Sequence, residues 1–345
     1  MLHFATCFDA NYLSRGMALL ESLTERSTIP FRLYILALDE KVNAFFKKSV
    51  IENIVIISLD EIELYFPELQ NAKTNRSIIE YYFTLSPYLP LYILNQFPKV
   101  ERITTMDADL YFFNDPNIIL NSYASASVLI TPHHFSSELK HLEVYGKYNV
   151  SFQSFKKDKN GLECLNHWAE QCVEWCYDYL DEPNNRFADQ KYLDNWKSQF
   201  SNVEEINLPG AGLAPWNIEA YAYSSHKDKI LVDSNPLIYF HFHHLRIFNR
   251  YFAISGLEKY GVNVDRIEVK NIYHAYLKKL TFFSKEVSKD GTFITRDNVN
   301  QSDNFFRKLL YPSGYWIFKT NYIRHVNLSA QYIKFKKILK KLWPA

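Results

Sequence analysis

Short, nearly unbroken apolar runs alternate along this chain with longer segments whose apolar residues recur every three or four positions. Residues 2–8 form the first such run. After the turn-forming Asp9-Ala10-Asn11, residues 12–26 put Leu13, Met17, Leu20 and Leu23 on one helical face. Residues 31–38 and 53–59 read as further buried strands, with a helix over 40–49 between them. Residues 75–97 keep a helical period that Pro87 and Pro90 interrupt, which predicts two helices. Strands follow at 100–106, 125–131, 149–155, 203–208 and 236–243. Helices are expected at 161–180 and, after the loop 181–185, at 187–200. Strands alternating with helices predict an α/β protein with a doubly wound, mostly parallel, Rossmann-like sheet.

Near residue 245 the pattern changes, dividing the chain into a sheet-bearing domain (1–245) and a helical accessory region (246–345). In the latter, Phe, Tyr and Lys mix with short helical stretches, and 288–304 is polar. Leu328, Tyr332, Phe335, Leu339 and Leu342 then recur at helical spacing opposite a lysine-rich face. That is a basic amphipathic helix, suited to docking on its own domain or on a membrane surface.

The net charge of +1 over 345 residues conceals an asymmetry. Nine Lys or Arg and no acid lie from Asn304 onward, leaving 30 bases against 38 acids in residues 1–303. An acidic body argues against nucleic acid as a partner, and a basic tail points to an anionic surface. Only 9 glycines occur, and neither Gly-rich phosphate-loop pattern is present. No basic leader opens the chain and no apolar run approaches membrane-spanning length, so a cytoplasmic, reduced setting is expected. Cys164, Cys172 and Cys176 share the helix over 161–180 with Leu165, Trp168 and Trp175, a pattern of core thiols rather than of a metal site with His167.

The densest candidate chemistry is Met106-Asp107-Ala108-Asp109-Leu110-Tyr111-Phe112. It puts two carboxylates one residue apart where a buried strand should end, the edge at which open α/β sheets collect ligands. Such a pair offers hard oxygen ligands to Mg²⁺ or Mn²⁺; it is also compatible with an ordinary surface turn. Far downstream, Tyr239-Phe240-His241-Phe242-His243-His244 alternates, so His241 and His243 share one strand face and either could supply an imidazole ligand. Asp9 could cap the helix that follows it, Asp189-Gln190 could open a helix, and Trp216, in the loop 211–217, could face a sugar or be buried.

In order along the chain, Phe4-Ala5-Thr6-Cys7-Phe8-Asp9-Ala10-Asn11-Tyr12, Arg76, Asp107-Ala108-Asp109, Tyr148-Asn149-Val150-Ser151-Phe152, Phe187-Ala188-Asp189-Gln190 and His241-Phe242 resemble the GT-A-fold glycosyltransferases. The likeness is to the retaining, family-8-like group that uses nucleotide-diphosphate sugars, and it covers roughly residues 1–245. The resemblance implies that Tyr12 stacks on the base, that Asp9 accepts a base N–H, and that the strand backbone at Ala5, Thr6 and Cys7 lines the nucleotide. Arg76 would contact the nucleotide or its phosphates. Asp107 and Asp109 would hold the divalent metal, with His241 as the third protein ligand, and Ala108 between them would line the nucleotide. Asn149 and Ser151 would line the sugar pocket. Asp189 would hold donor hydroxyls, and Gln190 would sit near the anomeric carbon. Two positions depart from the family pattern: Ser151 stands where the family has glycine, and His244 replaces the glycine of its His-Phe-x-Gly stretch. The phosphate-binding lysine that follows in the family has no counterpart; Arg246 or Arg250 could replace it.

The expected activity is therefore a metal-dependent transfer of a sugar from a nucleotide diphosphate, UDP by family habit, to a glycan or lipid-linked glycan. The mixed N and O ligand set favours Mn²⁺ over Mg²⁺. A retaining route needs either a nucleophile opposite the leaving group or attack from the leaving-group face. For the first, Asp189 is the only well-placed carboxylate and Gln190 a poor candidate; the second, with the diphosphate taking the acceptor's proton, is the expected route. Two other classes remain open at this level: a metal-dependent nucleotide-sugar hydrolase, and a non-catalytic nucleotide-sugar-binding protein of the same fold.

Overall fold

Both faces of β1 (Leu2–Phe8) are covered: Phe4 and Phe8 pack on one side and Ala5 on the other. The computed structural model describes residues 1–48, 51–227, 229–247, 252–262, 266–288, 315–318 and 325–327. After β1 come α1 (Leu13–Arg26), β2 (Phe31–Ala37), α2 (Glu40–Lys47), β3 (Ile54–Ser58), α3 (Leu59–Tyr65) and α4 (Leu69–Asn75). The predicted helical break is present, as α5 (Ile78–Thr84) and α6 (Tyr88–Gln96). A Ser77/Glu80 capping box starts α5, and Pro87 stands at the N-cap of α6.

Next are β4 (Arg102–Met106), β5 (Leu110–Phe112), α7 (Asn117–Ser122), β6 (Val128–Pro132), β7 (Tyr148–Lys156) and α8 (Lys159–Glu174). The central sheet has seven strands in the order β3-β2-β1-β4-β7-β6-β8, with β8 at Val203–Glu205. Its pairings are parallel except on the two sides of β7. This is the α/β, mostly parallel sheet that the pattern predicts. Alternate strand residues feed two apolar clusters: Tyr34, Leu36 and Ile130 face one, while Leu33, Ile35 and Leu129 face the other. Burial on both faces is why the strands read as continuous apolar runs.

Cys164, Cys172 and Cys176 are buried free thiols in the first cluster, around Trp168 and Trp196. Two helix expectations are corrected. The helix over 161–180 stops at Glu174. The one over 187–200 is only a 3-10 turn, Lys191–Asn195, followed by α9 (Trp196–Gln199). Ala188 takes a left-handed φ of 45°, which turns Asp189 inward before any helix can start. The 236–243 strand is likewise split, and after the small antiparallel strands β9 (Tyr223–His226), β10 (Lys229–Val232) and β11 (Asn235–Pro236) it resumes as β12 (Tyr239–His241).

Beyond residue 245, β13 (Arg246–Ile247), β14 (Phe252–Ile254), β15 (Tyr315–Phe318) and β16 (His325–Asn327) form a separate antiparallel sheet. The 22-residue α10 (Ile267–Ser288) replaces the short helical stretches expected there. Its Tyr273, Tyr276, Leu277 and Leu280 pack with Ala18, Tyr111, Phe240 and Phe242, and Lys279 pairs with Glu21 (2.8 Å) and Glu25 (2.9 Å) of α1. The polar 289–304 stretch, Arg250, the basic residues from Arg307 onward and the amphipathic segment 328–342 lie outside the described residues. Among the described residues no helix is long and apolar enough to cross a membrane.

Candidate active site

At the end of β4 the chain turns through Asp107-Ala108-Asp109 and runs straight into β5, which is bonded to β12 rather than to the central sheet. The antiparallel register sets His241 opposite Leu110, so an imidazole from late in the chain stands beside the Asp pair. Backbone bonds hold the turn from both sides: Asp107 N donates to Ser151 O (3.0 Å) and Phe242 N to Asp109 O (3.1 Å). The loop 210–217 closes the other edge of β12, with Ile238 N donating to Gly210 O and His241 N to Leu213 O, both at 2.7 Å. Gly210 is required there. Its φ is 83°, and a Cβ would lie 2.3 Å from Pro236 O.

His241 Nε2 lies 3.1 Å from Asp109 Oδ1 and 3.6 Å from Asp107 Oδ2. One ligand atom from each of the three lies within 4.8 Å of the others. Two hard carboxylates and a borderline imidazole at that spacing fit a divalent cation of the Mn²⁺ or Mg²⁺ type. His243 sits behind His241, ring to ring at 5.4 Å, and is outside this cluster. Burial would raise the Asp109 carboxyl, but His241 more than reverses this, with His243 and Arg15 adding, and it falls to about 2. Asp107, whose side chain is 40% exposed, moves the other way. Withdrawal from bulk water raises it, against the pull of His241, and the charges of Asp109 and Asp189 add to the rise. For His241 burial disfavours the proton, yet Asp109 and then Asp107 win and raise its pKa. Burial and the mutual charges of the three groups account for these opposed shifts, a pattern common where titratable groups crowd a functional site.

Near this cluster lie most of the other residues singled out above. Ala5, Thr6 and Ala108 are buried. The Cys7 thiol is pushed up to about 12 by burial and then by the charges of Asp107, Asp189 and Asp9. Asp9 caps the 3-10 turn Ala10–Tyr12 through the Asn11 and Tyr12 N–H groups, and its second oxygen accepts from Asn11 Nδ2. Tyr12 is 37% exposed. Asn149 is buried and spent within the sheet: Nδ2 donates to Thr131 O, and Oδ1 accepts from the Ser151 N–H and hydroxyl. The hydroxyl that replaces the family glycine is thus folded back onto Asn149.

Asp189 is buried, takes a 2.6 Å bond from Ser86 Oγ, and is raised by burial to about 6 against that bond. Gln190 Nε2 donates to Tyr145 O. Trp216 is buried; its Nε1 donates to His133 O (2.9 Å) and its ring meets His241 edge-on at 5.3 Å. Arg76 is bonded to the end of α8. Its guanidinium donates to Thr84 Oγ1 (2.5 Å) and to Cys172 O and Val173 O (both 2.7 Å), two of the carbonyls in the last turn of α8. Arg246 is exposed on β13.

Two contributors escaped the sequence patterns. Ser86 gave no signal beyond lying between two helices. Arg15 sits in the first turn of α1 at only 3% exposure, donates from Nη2 to Leu245 O (2.9 Å), and lies 4.3 Å over the Tyr12 ring. Its one sequence trace is a cation three residues after Tyr12 on a helix otherwise apolar on that side.

Fold and site together define an α/β protein with an Asp-x-Asp/His ligand set at the carboxyl edge of its sheet. No protein-family model matches the chain. The chain is 33% identical over 254 residues to the uncharacterized protein YfnF of Bacillus subtilis (strain 168), spanning 71% of this chain and 82% of YfnF, and it belongs to the same family. It is also 29% identical over 286 residues to the uncharacterized protein YfnD of that strain, covering 83% of this chain and 90% of YfnD. Among solved structures it is similar to the galactosyltransferase LgtC in complex with donor and acceptor sugar analogues, at 14% identity and a TM-score of 0.47, over 70% of this chain and 87% of that one. Mouse xyloside xylosyltransferase 1 matches at 11% identity and a TM-score of 0.44, over 70% and 97%.

Proposed function

We propose that this protein is a metal-dependent glycosyltransferase of the GT-A type. In this reading it moves a sugar from a nucleoside diphosphate, uridine in the first instance, to a glycan or lipid-linked glycan with retention at the anomeric carbon. The observation that supports it best is the convergence of Asp107, Asp109 and His241 on one point beside the end of β4. Those three side chains would hold Mn²⁺ or Mg²⁺, which supplies Lewis-acid neutralisation of the departing diphosphate.

The chain's own residues divide the remaining work. Tyr12, which is exposed, would stack on the base, beside the backbone of Ala5, Thr6 and Cys7. Asp189, fixed by Ser86, presents a carboxylate to donor hydroxyls, with Gln190 beside it. Asn149 and Ser151 shape the floor near Asp107 through backbone and side-chain bonds to each other. Trp216 holds the imidazole of His241 from the side rather than meeting a sugar face. Leaving-group-side attack, with the acceptor proton passing to the diphosphate, needs no protein nucleophile. A covalent sugar adduct on Asp189 in a mass spectrum would overturn that route.

Residues 1–245 form the catalytic part in this reading and 246–345 the accessory part. The basic tail would bring a cytoplasmic enzyme to anionic lipid that carries the acceptor. The deciding experiment is a thermal-shift panel of nucleoside diphosphates and their sugars, with and without Mn²⁺. A metal-dependent rise with one base is expected, followed by sugar transfer that depends on an added acceptor. Release of free sugar regardless of acceptor would favour the hydrolase instead. Metal-independent binding that survives Asp107→Asn with Asp109→Asn would favour the non-catalytic binder.

A further inference from the structure

Asp107 and Asp109 bring two carboxylates to one imidazole nitrogen, that of His241, at 3.6 and 3.1 Å. A diphosphate adds at least two more negative charges, and a single divalent cation leaves the assembly well short of neutral. Such an imbalance is costly in a partly desolvated cleft. A fixed cation of the chain would offset it. Among the described residues, Arg15 is tied to this point by a short run of bonds: its Nη2 donates to Leu245 O, Leu245 N to Phe242 O, and Phe242 N to Asp109 O. Arg246 and Lys259, also in this part of the chain, are exposed.

Arg15 is also the best anchored of these groups. Its Nη2 donates to the carbonyl of Leu245, four residues beyond His241, and its guanidinium lies over Tyr12. One buried side chain thereby links the helix that follows β1 to the segment that follows β12. A guanidinium keeps its charge at all working pH values, and one already oriented needs no rearrangement when an anion arrives.

We propose that Arg15 is the positioning residue for the donor's diphosphate: its charge offsets the pyrophosphate beside Asp109, and its bond to Leu245 keeps Tyr12 in register with His241. This inference rests on the nucleotide-sugar reading given above. It assigns to the start of α1 the compensating charge for which the sequence offered Arg246 or Arg250.

The test uses the full chain with Mn²⁺ and inorganic pyrophosphate as probes, followed by titration calorimetry on the wild type, Arg15→Met, Arg15→Lys and Arg246→Met. With Mn²⁺ saturating, Arg15→Met is expected to lose about tenfold or more in pyrophosphate affinity, and Arg15→Lys to recover most of it. Mn²⁺ affinity without pyrophosphate should hold or rise in Arg15→Met, because a cation beside the carboxylates has gone. A merely structural role predicts the opposite, a joint fall in both affinities, and that result overturns the proposal. Unchanged pyrophosphate affinity in Arg15→Met, or transfer of the loss to Arg246→Met, overturns it too. Should Arg15→Met fail to fold, Arg15→Gln keeps a donor for the Leu245 carbonyl and serves the same comparison. A wild type that binds no pyrophosphate with Mn²⁺ removes the transferase reading itself, and this inference with it.

Discussion

Asp109 and His241 stand far apart in the chain and 3.1 Å apart in the fold, joined because β12 pairs with the three residues that follow the Asp turn. The pair and its neighbour Asp107 respond to charge in opposite senses, and this leads to a first prediction. Without metal, Asp109→Asn should destabilise the fold, since its carboxylate is the one held down by His241. Asp107→Asn should be neutral or stabilising, since its carboxyl is raised. Both should abolish the Mn²⁺-induced rise in thermal midpoint, a stabilisation of about 2.7 kcal/mol for a ligand at 100 times its Kd. Thermal melts with Mn²⁺ and with a chelator read out both effects; a Mn²⁺ shift that survives in Asp109→Asn would remove the metal assignment.

Asp189 gives a pH signature. Its folded pKa of about 6 exceeds the ordinary 3.8 because of burial. The protonated form is therefore the one the fold favours. Stability from this group is complete below about pH 4 and is lost as pH rises through about 6. Asp189→Asn should then be more stable than the wild type at pH 7 by about 3 kcal/mol, and equal to it near pH 4. Sugar transfer should fall sharply in the same variant. Urea unfolding at the two pH values measures the first effect, and a difference that grows toward low pH would contradict it.

Arg76→Ala removes donors to Cys172 O and Val173 O at the end of α8 and leaves those carbonyls without a side-chain partner. A loss of about 2 kcal/mol in stability is expected from charged hydrogen bonds of this kind. Binding of a nucleoside diphosphate, corrected for that stability, should change less than threefold if capping is the main task. A tenfold loss of nucleotide affinity in a folded Arg76→Ala would return the residue to the phosphates.

Trp216→Phe keeps an apolar ring but loses the donor to His133 O and shrinks the surface against His241. Outer contacts to a metal ligand commonly carry 10- to 100-fold in metal affinity. We expect about a tenfold weaker Mn²⁺ affinity with Asp107 and Asp109 intact. Unchanged affinity would mean that β12 alone holds the imidazole.

Much of the architecture was legible because the strands are buried on both faces and so appear as apolar runs such as residues 2–8 and 31–38. The break between α5 and α6 was legible for a different reason, since Pro87 cannot continue a helix. The short irregular pieces were not. The 187–200 segment has the apolar spacing of a helix, but a left-handed Ala188 and an inward Asp189 prevent one, and both depend on Ser86 and Trp168 elsewhere in the chain. The 22-residue α10 was underread because aromatic and lysine residues blur its period; its burial against α1 defines it.

What the sequence determined by itself was the local chemistry: which strand carries the two carboxylates, and which later strand offers a histidine with the right alternation. Spacing along a strand shows which side chains share a face, so His241 and His243 remained equivalent. Only the tertiary structure separated them, because the β5–β12 register brings His241 within reach of both aspartates while His243 stays outside the cluster. It also decided that Asp9 caps a turn, that Arg76 closes a helix, and that Arg15 lies buried beside Tyr12. Each of these depends on contacts between residues distant in the chain, which no pattern of neighbouring residues encodes.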